Sequence, residues 1–351
     1  MTSTADKQAA PRVRPEPGST VSLQEMRAAA QALEGVAVRT PVRSLPSLRQ
    51  ITGVPVALKC EHLQPIGAFK IRGAYTAISR IPPEARGRGV ITYSSGNHGQ
   101  AVAFAARQLG VRAVVVMPQR APAIKVEGVR RLGGEVVIEG NTSQERYERA
   151  RQIALVEGLT IIPPFESLDV IAGQGTCGLE ILEDAPDVEA ILVPVGGGGL
   201  IAGIAAAVTA VRPEVEVVGV EPAGAPKLSR ALEAGLPVAL EQTESIADGL
   251  LPLSIGTIPF GILSGVVRTV IQVTEDEIVA GLRFLYREAG IAAEPSGAVT
   301  TAALLSQHYR PKGPTIAILS GGNIDPALLQ RLVHPIEELS TGSRRAQGRV
   351  E

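Results

Sequence analysis

The chain has 351 residues and a formal net charge of −1 at pH 7, enough length for two compact lobes and no basic field to draw nucleic acid or an anionic membrane surface. No apolar run reaches the roughly 18 residues a membrane span needs, and the start, MTSTADKQAAPRVRPEPGST, is polar and Pro-rich where a signal peptide is apolar. A cytoplasmic protein that binds neither nucleic acid nor membrane is expected, with its two cysteines, Cys60 and Cys177, as small buried apolar residues without chemistry.

Residues 1–19 and 339–351 have the composition of disordered tails. Between them, β-rich runs alternate with Ala-, Glu- and Arg-rich stretches of helical spacing. In order these runs are VALK, GVITYSS, AVVVMP, EVVIEG, LTIIP, AILVPVGG, VEVVGVEP and TIAILSGG. Near-continuous Val/Ile runs suit parallel strands covered by helices on both faces, so the fold class is α/β. Four of the runs fall between about residues 89 and 165. The expected organisation is a small domain, residues 89–166, inserted into a larger one made of residues 20–88 and 167–338.

The first chemical signal is EHLQPIGAFKIRGAY, residues 61–75, where Lys70 sits between Phe69 and Ile71 after a Pro-x-Gly turn. The chain has only six lysines, so a lysine in this apolar setting stands out. A desolvated lysine loses basicity and becomes nucleophilic toward carbonyls, although a lone lysine more often packs its stem and keeps its head in water. Next, TYSSGNHGQ places Ser94, Ser95, Gly96, Asn97 and His98 between a strand and a helix, where free N–H groups and hydroxyls can grip a carboxylate. Then AILVPVGGGGLIAG sets Gly196, Gly197, Gly198 and Gly199 between a strand and an Ala-rich helix, a backbone cradle for phosphate. A nicotinamide fold is a rival for this loop, since Glu221 lies near the distance at which such folds place their ribose-binding acid. Finally, ILSGGNID presents Ser320 at a third strand end. A nucleophilic lysine, a phosphate cradle and a carboxylate grip together suit a phosphorylated carbonyl cofactor, pyridoxal 5'-phosphate.

From about residue 20 to 330 the chain resembles the fold-type II pyridoxal-phosphate enzymes, in the branch with threonine ammonia-lyase (threonine dehydratase), serine dehydratase and serine racemase. The motifs that carry the resemblance are GAFKIRGA, SSGNHGQ, VIAGQGT, VGGGGLIAG and LSGGN. The resemblance implies a tryptophan synthase β-like fold of two open, twisted, mostly parallel sheets with helices on both faces. It also implies that Lys70, beside Phe69, holds the cofactor through a Schiff base and that Gly196–Gly199 with Leu200 bind its phosphate. Asn97 would bond the phenolic oxygen, Ser320 the ring nitrogen, and residues Ser94 to His98 the substrate carboxylate. Lys70 would remove the α-proton of a β-hydroxy amino acid such as threonine or serine, and loss of the β-hydroxyl would lead to a 2-oxo acid and ammonia. A homodimer or tetramer is implied as well.

Two residues depart from the pattern of the branch. Ser95 stands where many bacterial threonine ammonia-lyases have alanine, and it is the residue that serves serine racemases as the second acid/base, so a racemase is the alternative. Lys227 replaces the aspartate of a divalent-cation site that part of the branch builds around Glu221, so no metal is expected and Lys227 is expected to pair with Glu221. The chain stops soon after VHPIEEL, which argues against the effector-binding domain of the biosynthetic enzymes. A β-replacement enzyme of the same fold, a nicotinamide-dependent oxidoreductase and a non-catalytic metabolite-binding protein are the remaining rivals.

Overall fold

The structure is a computed structural model that describes residues 20–334 apart from Ser95 and Pro122. The expected tails, 1–19 and 339–351, and the acid/base expectation for Ser95 therefore lie outside the described residues. Among the described residues ten strands form two sheets: β1 Val42–Ser44, β2 Val56–Cys60, β3 Val90–Thr92, β4 Ala113–Met117, β5 Glu135–Ile138, β6 Thr160–Ile161, β7 Ala190–Pro194, β8 Glu216–Pro222, β9 Thr269–Val273 and β10 Thr315–Leu319. The six-stranded sheet runs β1-β2-β10-β7-β8-β9 and the four-stranded one β5-β4-β3-β6. Every pairing is parallel except β1 with β2.

The central strands β4, β7 and β10 are buried at every residue, which is why their sequences, AVVVM, AILVP and TIAIL, are nearly all apolar and not alternating. Two apolar clusters cover the large sheet. One includes the helices Leu168–Asp184 and Gly199–Val211, the other Glu275–Ala289 and Pro295–Leu305. The first two helices come close because glycine lines their contact, and a Cβ on Gly203 would lie 2.5 Å from the Gly175 nitrogen. Two strands, β1 and β9, have no counterpart among the runs read from the sequence. They are the two edges of the large sheet, where partial exposure dilutes the apolar pattern.

Parallel pairing fixes where strands end. Register sets Leu319 beside Cys60 and Ala317 beside Leu192, so β2, β10 and β7 deliver the lysine segment, Ser320 and the glycine loop to one carboxyl edge, where open α/β sheets bind ligands.

Candidate active site

The lysine segment is pinned by its own turn. Gly67 has φ +71°, and a Cβ there would meet the Asn323 side chain at 2.4 Å, so glycine is required. Ala68 bridges to Gly321 and the Phe69 amide donates to the Ser320 carbonyl at 3.1 Å. Lys70 thereby becomes the first residue of the helix Lys70–Ser79, next to the end of β10. Its Nζ donates to the Pro164 carbonyl at 2.9 Å and lies 5.1 Å from the centre of the Phe69 ring. Burial pushes the ammonium down to about 8, against the opposing pull of the Glu294 carboxylate. A helix N-terminus, positive by its backbone dipoles, disfavours a cation in the same direction.

The glycine loop follows β7. Gly198 has φ +97°, and a Cβ on Gly197 would lie 2.1 Å from the Phe165 ring, so at both positions only glycine fits. Gly199 opens the helix Gly199–Val211, whose first amides have no helical carbonyl to bond and face an incoming anion with positive dipole. The Leu200 side chain is buried in the core, leaving its amide as the group on offer.

Asn97 opens the helix Asn97–Gln108 at the end of β3, in the four-stranded sheet. A Cβ on Gly99 would fall 2.3 Å from the Ser94 carbonyl, so that glycine lets the loop fold tightly onto the helix start. The Ser94 hydroxyl accepts from the Gly96 amide at 3.4 Å. His98 is buried, and its Nε2 donates to the Ile162 carbonyl at 3.0 Å, since a carbonyl can only accept. Its Nδ1 is then a bare acceptor with no partner among the described residues. Burial, with the Lys70 charge second, pushes the imidazole down to about 3. The expected carboxylate grip is therefore narrower at His98: the one N–H of its neutral ring is spent on Ile162, which leaves its backbone amide to serve.

Polar contacts join these pieces. Ser320, 3 % exposed, donates to the Ser296 carbonyl at 3.4 Å. The Ser296 hydroxyl accepts from the Gly249 amide at 2.9 Å, and Gly249 backs onto Gly196. Across the cleft, Asn97 Nδ2 donates to Glu294 Oε1 at 2.7 Å. Glu294 is 5 % exposed; burial first, then the Asp248 carboxylate, push it up to about 8, while Asn97, Lys125 and Lys70 oppose. Sequence places Glu294, in the segment EPSGA, near the site with no further role, and Asn323, Ser296 and Asp248 are additions to the residues it names. The available signal is the resemblance of SIADGL, EPSGA and LSGGN to segments that lie near the active site in the same family.

The metal expectation rests on different contacts from those anticipated. Glu221 ends β8 buried and accepts from the Leu228 amide at 2.9 Å, the Ser229 amide at 3.0 Å and the Ser229 hydroxyl at 2.7 Å. It thus caps the helix Lys227–Ala234, and buried there it is committed to protein donors, unlike a ribose-binding acid. Lys227, fully buried, donates instead to the Ala225 carbonyl at 2.8 Å. Burial pushes its ammonium down to about 8, with Glu221 acting on it only through its opposing field. The direct Lys227–Glu221 contact expected from sequence is replaced by these two separate sets of bonds because the helix start competes for the carboxylate.

A lysine of lowered basicity, an amide cradle that a side chain would fill, a buried hydroxyl and an oriented amide together fit pyridoxal phosphate. Residues 33–321 match the family model of pyridoxal-phosphate dependent enzymes. An L-threonine ammonia-lyase of Thermotoga maritima is 41% identical over 315 residues, which cover 90% of this chain and 78% of that one. The solved T.th. threonine deaminase is 41% identical with a TM-score of 0.83, covering 87% of this chain and 99% of that one. The serine racemase of Dictyostelium discoideum is 37% identical with a TM-score of 0.82 over the same shares of the two chains. With the geometry above, these likenesses identify the chain as a member of the pyridoxal-phosphate-dependent enzymes of fold type II, in the branch of threonine ammonia-lyases and serine racemases.

Proposed function

We propose that this enzyme is an ammonia-lyase that converts a β-hydroxy amino acid, such as L-threonine or L-serine, to a 2-oxo acid and ammonia. The observation that carries the assignment of roles is the placement of Lys70, half-buried with its ammonium pushed down to about 8, beside Ser320. Pyridoxal phosphate, when bound, supplies an electron sink that acidifies the substrate's α-C–H bond and lets the β-hydroxyl depart. Lys70 is the covalent anchor and, once freed by the substrate amine, accepts the α-proton at Nζ. A lowered pKa serves both tasks, because a useful fraction of the amine is neutral near pH 7. The amides of Gly196 to Leu200 hold the phosphate, and those of Gly96 to His98, with the Ser94 hydroxyl, hold the substrate carboxylate. Asn97 bonds the phenolic oxygen. Ser320 would offer the ring nitrogen a hydroxyl, which does not favour a proton there as a carboxylate would.

In this reading residues 89–166 form an inserted domain that brings Asn97 to the site, supported by their separate sheet. A cytoplasmic homo-oligomer, dimer or tetramer, is part of the same reading. It rests on the family and on two buried free thiols, Cys60 pushed up to about 11 and Cys177 also raised by burial. No helix among the described residues is long and apolar enough to cross a membrane. The test is a panel of β-hydroxy amino acids assayed for both 2-oxo acid and enantiomer, in the unaltered enzyme and in Lys70→Ala. The expected outcome is 2-oxo acid from at least one substrate, lost in Lys70→Ala together with the visible cofactor band. Enantiomer without 2-oxo acid would replace the lyase by a racemase, and a retained band in Lys70→Ala would move the anchor to another lysine.

A further inference from the structure

Asn323 follows the two glycines of LSGGN and has no role in the reading above. Its Nδ2 lies 2.8 Å from the Ile66 carbonyl and 2.8 Å from Asn97 Oδ1. A backbone carbonyl only accepts, so the Asn323 atom facing Ile66 is the amide nitrogen, whichever way electron-poor and electron-rich ends are first assigned. That nitrogen has two hydrogens, and the two contacts use both. The Asn97 atom opposite it must then be an acceptor. Asn97 is left with Nδ2 on its other side, where one hydrogen goes to Glu294 Oε1 at 2.7 Å and one remains. A flipped Asn97 amide would set two donors against each other at Asn323. Glu294, pushed up to about 8 chiefly by burial, keeps an accepting oxygen at neutral pH in either protonation state.

We propose that Asn323 is a positioning residue: anchored on the Ile66 carbonyl, it fixes the orientation of the Asn97 amide so that one N–H of Nδ2 is left for the phenolic oxygen of the cofactor. The inference rests on the reading that Asn97 bonds this oxygen. It also explains a coupling between segments. Ile66 belongs to the turn that delivers Lys70, and a Cβ on Gly67 would strike the Asn323 side chain, so one amide ties together the lysine segment, the end of β10 and the Asn97 helix of the other sheet.

The test uses holoenzyme and reads the pH midpoint of the visible band of the lysine-linked cofactor together with the cofactor Kd. A donor on the phenolic oxygen draws charge from it and loosens the proton on the adjacent linkage nitrogen. Losing that donor therefore raises the midpoint, by about one pH unit for a hydrogen bond to a charged oxygen, and weakens cofactor binding about tenfold. Asn323→Asp keeps the side-chain shape but replaces the donor with an acceptor. The expected result is that Asn97→Ala and Asn323→Asp raise the midpoint alike and that the double variant moves no further, since both changes remove one interaction. If Asn97→Ala shifts the midpoint and Asn323→Asp does not, or if the two shifts add in full, Asn323 does not act through Asn97 and the proposal is overturned while the reading of Asn97 stands. If Asn97→Ala leaves the midpoint in place, the reading of Asn97 fails and the proposal with it.

Discussion

Replacing Arg72 with leucine should cost about 3–5 kcal/mol of stability, the typical loss when one member of a buried ion pair is removed and the other is left charged. Arg72 sits two residues beyond Lys70 on the same helix with its side chain 1% exposed. Nε and Nη2 bond the two oxygens of Glu61 at 2.8 Å each, and Nη1 and Nη2 bond those of Glu180 at 2.7 and 2.8 Å. Lys59, also fully buried, donates to Glu180 at 2.6 Å and to the Thr40 carbonyl at 2.7 Å. Lys59 also lies 3.8 Å from Asp184, which Arg39 holds, and Arg72→Leu leaves the cluster with one positive charge fewer. Glu180 is partly exposed and keeps Lys59, so the loss falls on Glu61, which is fully buried and retains hydrogen bonds only from Thr40 and Gln64. A loss of this size lowers the melting temperature by roughly 6–20 °C at 2–4 °C per kcal/mol, read in thermal scans at one scan rate and protein concentration. The pH dependence has a definite sign. In the unaltered protein burial pushes the Glu61 carboxyl up, but Arg72, with Thr40 and Lys59, more than offsets this and holds it below its ordinary 4.5, so its contribution is present above 4.5 and fades as pH falls below. In Arg72→Leu burial dominates and raises that pKa, so the variant regains stability as Glu61 takes up a proton. The gap between the two proteins should therefore narrow from pH 7 toward pH 5, and Glu61→Leu added to Arg72→Leu should restore part of the loss at pH 7. A melting temperature for Arg72→Leu within 2 °C of the unaltered protein, or a gap independent of pH, would refute the reasoning.

Lys70 should also set the pH dependence of cofactor uptake. Because its ammonium is pushed down to about 8 and only the neutral amine attacks an aldehyde, the rate at which apoprotein acquires the visible band should rise about tenfold per pH unit below 8 and level off above it; a rate still climbing in this way at pH 10 would return Lys70 to the ordinary lysine range. For Lys227, buried with its Nζ on the Ala225 carbonyl, neither magnesium nor calcium should activate the unaltered enzyme and chelator should leave it unchanged, whereas Lys227→Asp should show metal dependence, because hard cations need oxygen ligands and an ammonium repels them. Strong activation of the unaltered enzyme by either ion would contradict this.

How much of this was legible depends on whether the signal is local. The parallel sheets show in uninterrupted apolar runs such as AVVVM of β4 and TIAIL of β10, because burial on both faces acts on every residue of a strand. The edge strands β1 and β9 escape notice because half-burial leaves no such run. The glycine loop and Lys70 are equally local, each with its own turn chemistry written in adjacent residues. The buried charges are not. Lys59, Glu61, Arg72 and Glu180 look like ordinary surface charges in sequence, and Arg72 and Glu180 are separated by 108 positions. Only the docking of helix Lys70–Ser79 on helix Leu168–Asp184, closed by Gly173 lying against the Arg72 carbonyl, buries them together.

The site itself depends on the same kind of distant contact. Asn97 comes from the four-stranded sheet, while Lys70, Ser320, Glu294 and the glycine loop come from the carboxyl edge of the six-stranded one. A motif can place a lysine next to a turn, but it cannot fix the hydrogen-bonding sense of an amide 226 residues away from the group that orients it. Asn97 bonds Glu294 and Asn323 together, and Lys125 of the small-sheet segment bonds Asp248 beside the glycine loop. Asp248 raises Glu294 while Lys125 and Lys70 lower it, so the carboxyl that receives the Asn97 amide lies in the field of groups from both sheets. Any shift of one sheet against the other thus changes the charge balance around Glu294 and the contact made by Asn97 at once, which ties the cofactor's electronic environment to the seating of the small sheet and not to the large sheet alone.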